Sequence, residues 1–136
     1  MGGTMIPKII HYCWFGRNPL PETTKEYIKT WKKYCPDYEI IEWNENNFDM
    51  DCCIYVREAY EAKKWAFISD YVRLKVLYEH GGIYMDTDVE VCKSFDDLLG
   101  YSAWSGFESD SCIPTGTMAS DKQNEWIGNL LKYYDG

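Results

Sequence analysis

The sequence lacks a clustered run of basic residues. Its 14 lysines and arginines stand against 22 aspartates and glutamates, which gives a net charge of -8. Proteins that bind the backbone of nucleic acids usually carry a concentrated basic surface. The lysine pairs at 32–33 and 63–64 are too short to supply one. We therefore expect no nucleic-acid partner.

Other absences exclude further classes of protein. No Cys-x-x-Cys pair occurs among the six cysteines, and the adjacent Cys52 and Cys53 offer poor geometry for zinc. No apolar run has the length of a signal peptide or of a transmembrane helix. We expect reduced thiols and a cytoplasmic location, at most peripheral to the inner face of a membrane. Residues 1–5 are interpreted as a cloning remnant or a dispensable start.

Apolar and aromatic residues, in contrast, are abundant. Of the 136 residues, 46% are hydrophobic and 17% aromatic, including 6 Trp and 12 Tyr. A chain of this length forms one domain with a sizeable core. Aromatic residues beyond the needs of a core often line pockets for flat or ring-shaped ligands. No repeat, low-complexity tract or linker interrupts the chain, so we treat residues 6–136 as one unit.

Hydrophobic periodicity predicts strands alternating with helices. The predicted strands are 8–15, 38–43, 83–85, one that continues through Val89 and Val91, and 101–108, with a weaker strand pattern at 112–118. The predicted helices are 22–34, 53–64, 66–79 and 121–134, with a short helix or turn at 95–100. We expect Trp65 and Phe67 to lie in the core. This alternation indicates an α/β domain with a mainly parallel sheet flanked by helices, whose first crossover is right-handed.

The stretch 69–90 carries the strongest functional signal. Asp70 and Arg73 lie three residues apart and share one face of a predicted helix. Two glycines at 81–82 supply the positive φ that ends such a helix. The short apolar strand that follows delivers Asp86 and Asp88, whose side chains point to one side because they are two residues apart on an extended chain. Both carboxylates can therefore reach one cation.

Three predicted loops follow the carboxyl ends of strands. Trp14 ends the first strand, Asn46 follows the second, and the two aspartates follow the third. Ligands of open α/β sheets bind beyond these strand ends. The sequence therefore predicts a nucleotide pocket at this edge. The acidic net charge is compatible with a nucleoside diphosphate, since a divalent cation can offset its phosphates locally.

The carboxylate pair has competing interpretations. A calcium-binding EF-hand loop that begins at Asp86 would need Gly at its sixth position and Glu at its twelfth, where Val91 and Asp97 stand. A haloacid-dehalogenase phosphatase would need Thr or Val where Glu90 stands, and a pair near the amino terminus. A solvated surface turn is the simplest alternative. A hydrophobic strand before the pair favours the metal site of a glycosyltransferase, where Mn²⁺ or Mg²⁺ meets carboxylate and diphosphate oxygens.

Structural roles stay open for the remaining candidates. Asp70 and Arg73 can form an ion pair on the helix face. Trp14 can be a core residue, and Asn46 can serve turn chemistry alone. His11, on a buried strand, is interpreted as a core histidine whose nitrogens are satisfied by hydrogen bonds.

Two motifs resemble those of glycosyltransferase family 32. The pattern IPKIIHxxWxG at 6–16 resembles the amino-terminal signature of the family, and SDxxRxxxLxxxGGxYxDxD at 69–88 resembles its sugar-nucleotide "DxD" region. The same pattern occurs in the catalytic domains of clostridial glucosylating toxins and in yeast-type initiating mannosyltransferases. The resemblance covers nearly the whole chain from residue 6. It implies a GT-A fold and a retaining, metal-dependent transfer of a sugar from a nucleoside diphosphate.

The resemblance also implies roles for individual residues. Trp14 would stack on the nucleobase, and the backbone near Cys13 would read the edge of the base. Arg73 would hold the donor sugar, and Tyr84 would lie against the ribose. The expected catalytic residues are Asp70, Arg73, Asp86 and Asp88; expected nucleotide-sugar contacts are Cys13, Trp14, Asn46, Ser69, Asp70, Arg73 and Tyr84; Asp86 and Asp88 would hold Mn²⁺ or Mg²⁺.

Three hypotheses follow. The first is an enzyme that moves a sugar from a nucleoside-diphosphate sugar, with UDP mildly preferred, to a saccharide or lipid-linked acceptor in capsule, lipopolysaccharide or exopolysaccharide assembly. Family members usually continue for about a hundred residues beyond this chain, so the expected content of 6–136 is the donor half of the domain. The second hypothesis is therefore a truncated module that binds metal and sugar nucleotide without turnover. The third is a self-associating fragment with an exposed core face.

Overall fold

The computed structural model describes residues 6–16, 18–87, 89, 91, 94–100, 102–105 and 117–135. The strands among these residues are β1 (Ile9–Cys13), β2 (Glu39–Trp43), β3 (Gly82–Met85), β4 (Ala103–Ser105) and β5 (Thr117–Ser120). The helices are α1 (Glu22–Tyr34), α2 (Ile54–Glu61), α3 (Trp65–His80) and α4 (Glu125–Asp135), with a 3₁₀ turn at Asp96–Leu98. The predicted α/β class is confirmed.

The strands form one sheet in the order β2-β1-β3-β5-β4. β1 pairs in parallel with β2 and β3, and β5 pairs antiparallel with both β3 and β4. The three parallel strands are those that helices connect, as expected for crossover connections. The parallel half of the sheet is therefore the half that brings the three predicted strand ends to one edge.

Side chains of the sheet alternate between two hydrophobic cores. On β1, Ile10 and Tyr12 join a core that contains Trp31 of α1, whereas Cys13 joins a core that contains α2, α3 and α4 residues. On β3, Ile83 and Met85 face α1, and Tyr84 faces α3. This period of two places a layer of helix on each side of the sheet. Phe67, predicted to be core, is 47% exposed instead, and the centre of its ring lies 5.3 Å from the ammonium of Lys64.

The predicted strand through Val89 and Val91 is wrong for the residues described. Val89 and Val91 are buried but belong to no strand. The carbonyl of Val89 accepts the indole N–H of Trp31 at 2.7 Å, and the backbone N–H of Val91 donates to the hydroxyl of Thr30 at 2.9 Å. The apolar pattern at these positions reflects packing against α1. The carbonyl of Val89 and the N–H of Val91 bond to side chains of that helix and not to a neighbouring strand.

The glycine pair after α3 has the backbone that the sequence predicts. Gly81 has φ 70° and Gly82 has φ 117°, both in the region that side chains disfavour. A Cβ at Gly82 would lie 2.6 Å from the carbonyl oxygen of Ile9 and 3.0 Å from Nε2 of His11. The pair therefore turns the chain from α3 into β3 in a space that admits no side chain. Within the described part of the chain, no helix is long and apolar enough to span a bilayer.

Candidate functional site

The carboxyl ends of the three parallel strands meet at one edge of the sheet. Cys13 ends β1 and pairs with Trp43, the last residue of β2. β3 lies on the other side of β1 and ends at Met85, directly before Asp86. The backbone N–H of Trp14 donates to the carbonyl of Trp43 at 2.9 Å, which continues the pairing one residue into the loops. This edge is where the sequence predicts the site.

Cys13 lies at the centre of the predicted residues. Its thiol is in hydrogen-bonding contact with Tyr84 of β3 and Ser69 of α3, and the charges of Asp86 and Arg73 are close enough to act on it. Burial raises the pKa of the Cys13 thiol to about 12, against the partial effect of those hydrogen bonds. The thiol is therefore a neutral, inert group that packs. Five predicted site residues from three elements converge here.

Arg73 brings the positive charge of this cluster. Its Nη2 is 3.7 Å from Oδ1 of Asp70, and its guanidinium carbon is 6.0 Å from the centre of the Tyr84 ring. Its Nε is buried, and it has no hydrogen-bond partner among the described residues. A separation of 3.7 Å is long for a charge-assisted hydrogen bond. The helix-face ion pair with Asp70 is thus present but leaves donor capacity on the guanidinium unused.

Tyr84 lies beneath the site, in the interior. Its side chain is 2% exposed. Burial first, and then the neighbouring Cys13, raise the pKa of the Tyr84 hydroxyl well above its ordinary value, while the charge of Arg73 opposes the shift. The phenol therefore stays protonated at any physiological pH. The structure places it as a support under Arg73, between β3 and α3.

Trp14 and Asn46 line a second part of the same edge. They share a cavity of about 280 Å³ whose other lining residues are Asn18, Glu42, Asn44 and Glu45. The indole N–H of Trp14 donates to the carbonyl of Asn18 at 2.6 Å, which fixes the half-buried ring. The backbone N–H of Asn46 donates to Oδ1 of Asn44 at 2.9 Å, so turn chemistry also operates at this loop.

Sequence reasoning missed two acidic residues of this cavity. Glu45 accepts the backbone N–H of Gly16, which ties the loop after β1 to the loop after β2. Glu42 accepts the hydroxyl of Tyr12 at 2.9 Å and the side-chain amide of Asn44. The signal available in the sequence was the polar run at 44–47 with Glu42 just before it, from which only Asn46 was selected.

The predicted metal ligands are partly described. Asp86 is half-buried at the end of β3, and Asp88 lies outside the described residues. Among the described residues, no three His, Cys, Asp or Glu side chains are grouped to hold a cation by themselves. The Asp86 carboxylate is a hard oxygen ligand of the kind that Mg²⁺ and Mn²⁺ prefer, but a cation held there would need further ligands, such as the oxygens of a bound diphosphate. The described residues therefore fit a metal only together with ligands from a substrate.

His11 lies in the interior, as predicted, and outside this site. It is 0% exposed. Its Nε2 lies 2.8 Å from the carbonyl of Gly81, and its Nδ1 accepts the indole N–H of Trp43 at 2.9 Å. Because a carbonyl only accepts, Nε2 carries the proton and the ring is neutral. Burial lowers the pKa of His11 to about 4, with a smaller contribution from His80.

Comparison with known proteins gives one family and several relatives. Residues 21–104 match the family described as "Glycosyltransferase sugar-binding region containing DXD motif". Inositol phosphoceramide mannosyltransferase 3 of Schizosaccharomyces pombe is 32% identical over 135 residues, covering 93% of this chain and 36% of that protein. The uncharacterized glycosyltransferase L373 of Acanthamoeba polyphaga mimivirus is 30% identical over 105 residues, covering 71% of this chain and 41% of that protein.

A solved structure supports the fold independently. The PaToxG glycosyltransferase superposes with a TM-score of 0.73 at 24% identity, covering 95% of this chain and 60% of that one. At this identity the likeness concerns the fold, which is that of a GT-A-like glycosyltransferase. The chain spans between about a third and two-fifths of the length of the two curated relatives.

Proposed function

This chain belongs to the glycosyltransferase family whose sugar-binding region contains a DXD motif, and from this premise we propose that it binds a nucleoside-diphosphate sugar at the carboxyl edge of β1, β2 and β3. The transfer of the sugar to an acceptor hydroxyl, with retention of configuration, is the reaction that we propose for the protein of which this domain forms the donor side.

The observation that carries the proposal is the cluster around Cys13. Ser69 and Arg73 come from α3, Tyr84 from β3 and Asp86 from the turn after it, and all act on one buried thiol. A structural ion pair needs only Asp70 and Arg73. The convergence of a guanidinium with unused donor capacity, a carboxylate and a neutral phenol at a strand edge favours binding of an anionic ligand instead.

We propose the following roles for these residues. Arg73 donates to oxygens of the donor and stabilises the negative charge that grows on the diphosphate as the glycosidic bond breaks. Trp14 offers a ring face to the base, and the loop from Asn44 to Asn46 closes the base pocket. When bound, a divalent cation held by Asp86 and Asp88 neutralises the leaving diphosphate. Asp70 orients Arg73 through their helix-face pair.

The sugar and the acceptor are proposed from the relatives. Because one relative is named as a mannosyltransferase that acts on inositol phosphoceramide, we propose a hexose such as mannose as the first donor sugar to test and a lipid headgroup as the acceptor class. This fits the expected lipid-linked acceptor. The expectation of a capsule or lipopolysaccharide acceptor has no support from the relatives named above. A cytoplasmic location, where nucleotide sugars are abundant, remains our proposal.

The direct test is calorimetric titration of UDP, GDP and their hexose derivatives into the chain, with and without Mn²⁺ or Mg²⁺. Asp86→Asn should abolish the metal-dependent part of binding, and Asp88→Asn should do the same. The matched control is Asp51→Asn, a 76%-exposed carboxylate that pairs with Arg57 outside the site. No binding of any of these nucleotides would refute the donor site, and equal, metal-independent binding by all variants would refute Asp86 and Asp88 as metal ligands.

A binding module without turnover is the second candidate. The residues to which we assign roles all serve the donor, and none of them serves an acceptor. Release of free sugar from a nucleotide sugar, followed by chromatography, distinguishes the two candidates. Metal-dependent sugar release by the chain itself would exclude the module. The module would be supported if the chain binds the nucleotide sugar without releasing sugar and a longer protein that contains it transfers the sugar.

A further inference from the structure

Two of the cysteines differ from the others in exposure. Of the four whose surroundings the structure describes, Cys13 and Cys35 are buried, whereas the neighbours Cys52 and Cys53 are half-exposed. The pair lies just before α2 and packs against the core that also contains Cys13. The function proposed above makes no use of it.

The two thiols are in contact with each other. The Cys52 thiol is within hydrogen-bonding contact of the Cys53 thiol, and also of the Tyr71 hydroxyl on α3. Two sulfurs in hydrogen-bonding contact are close enough for one heavier atom to form a bond to each of them. The neighbouring positions in the chain thus place both sulfurs on one side, although consecutive side chains of an extended segment would point to opposite sides.

The backbone holds the pair in place. The N–H of Cys52 donates to the carbonyl of Asp49 at 3.2 Å, and the carbonyl of Cys53 accepts from Arg57 in the first turn of α2 at 3.2 Å. Cys53 is the N-cap residue of α2, and that helix is anchored by the buried Val56 and Ala59. The dithiol is therefore presented by an ordered segment.

A cavity gives access to Cys52. Cys52 lines an open cavity of about 510 Å³ together with residues of the loop after β2 and of the last turns of α3. Trp43, Phe48 and His80 provide an aromatic side to this cavity. A small reagent that carries an aromatic ring can therefore reach the sulfur from solvent and pack against this wall.

We propose that Cys52 and Cys53 form a dithiol site that binds a trivalent arsenical by bridging both sulfurs. With phenylarsine oxide, two As–S bonds form, the As=O bond and two S–H bonds break, and the oxygen leaves with both protons as one water molecule. Arsenic stays trivalent, so the step needs no oxidant. Burial raises the pKa of Cys52 to about 12, so this thiol is protonated at neutral pH and its proton leaves with the oxygen.

The test is uptake of phenylarsine oxide by the reduced chain, measured by intact-mass spectrometry and by competition with a small dithiol. One phenylarsenic group is expected at this pair, displaced by the dithiol and retained against a monothiol. Cys52→Ser and Cys53→Ser should each weaken uptake at this site more than tenfold. Cys35→Ala serves as the matched control and should leave it unchanged. A Cys92→Ser, Cys112→Ser double variant covers the two cysteines outside the described residues.

A peptide of residues 49–56 separates the effect of the fold from that of adjacency alone. Because the folded chain has already ordered both side chains, we expect it to bind about tenfold more tightly than the peptide. Unchanged uptake by Cys52→Ser, or uptake lost only in the Cys92, Cys112 double variant, would overturn the site. Equal affinity of peptide and chain would overturn its preorganisation.

Discussion

Two polar side chains on the α3 side of the sheet, His11 and Arg73, are satisfied in opposite ways. Both ring nitrogens of His11 have partners, Gly81 and Trp43, and the ring is 0% exposed. Nε of Arg73 is equally buried but has no partner among the described residues, and the contact of Arg73 with Asp70 is made by Nη2 at 3.7 Å. Buried polar groups are normally paired. The complete set of partners indicates a structural role for His11, and we propose that a bound donor completes the set of Arg73.

The largest expected effect is on ligand binding. Arg73→Ala should weaken binding of a nucleoside-diphosphate sugar on the order of a thousandfold, because a charge-assisted contact to the donor is lost. Arg73→Lys should recover part of the affinity, since a lysine keeps the charge without the planar fork. The unfolding temperature should barely move in either variant. Calorimetry measures the donor affinity and thermal unfolding measures the stability. A large loss of stability with donor affinity intact would show that Arg73 has a structural role instead.

The opposite pattern is expected for the histidine. His11→Ala should destabilise the chain by about 3 to 4 kcal/mol, because it leaves a cavity and strands the Trp43 N–H and the Gly81 carbonyl. Donor affinity of the folded fraction should be unchanged. Chemical denaturation, with the slope checked for two-state behaviour, gives the free energy of unfolding. A stable variant that fails to bind donor would place His11 in the site.

Acid titration tests the same group without a change of core volume. The pKa of His11 is lowered from 6.5 to about 4 in the folded chain, so the unfolded chain takes up the proton first as the pH falls. The contribution of His11 to stability is complete above pH 6.5 and is lost between pH 6.5 and 4, by about 3 kcal/mol. Unfolding at fixed pH values, compared with His11→Gln, isolates this part. If the free energy of unfolding falls with pH in the same way in both proteins, His11 does not make this contribution.

The smallest effect concerns the partner of the histidine. Trp43→Phe keeps an aromatic ring beside His80 but removes the indole N–H that donates to His11, and should cost about 1 to 2 kcal/mol. Thermal unfolding measures this loss. Trp104→Phe is a useful control, because its indole donates at 3.1 Å to the carbonyl of Leu98, a contact remote from His11. An equal acid sensitivity of both variants would show that the Trp43 contact does not matter for His11.

Local patterns were sufficient for much of the fold. The bounds of α1 agree with the predicted ones, because Glu22 at its start and Lys32 and Lys33 at its end follow the charge preference of helix termini. The glycines at 81–82 were predicted to take positive φ, and both do. The roles of Asp70, Arg73 and the carboxylate pair remain predictions, since no ligand contact tests them.

Contacts between distant residues were beyond these patterns. Nothing near β5 indicates that it inserts antiparallel between β3 and β4, because strand neighbours are chosen by the whole sheet. The same holds for the bond from Trp43 to His11, 32 residues apart. His11 was predicted to be satisfied, but its partners were not foreseeable from an isolated strand. Glu45 was missed because its partner, the backbone of Gly16, carries no side-chain signal.

The central position of β1 has a consequence for the synthesis of the chain. β1 pairs with β3 through Ile10 and Ile83, so β1 and its other neighbour β2 leave the ribosome well before β3 exists. At about 5–20 residues per second, the β1 edge waits several seconds with an unpaired, apolar strand. A nascent chain of this protein therefore presents a ready surface for a chaperone, or for another nascent copy, throughout that interval.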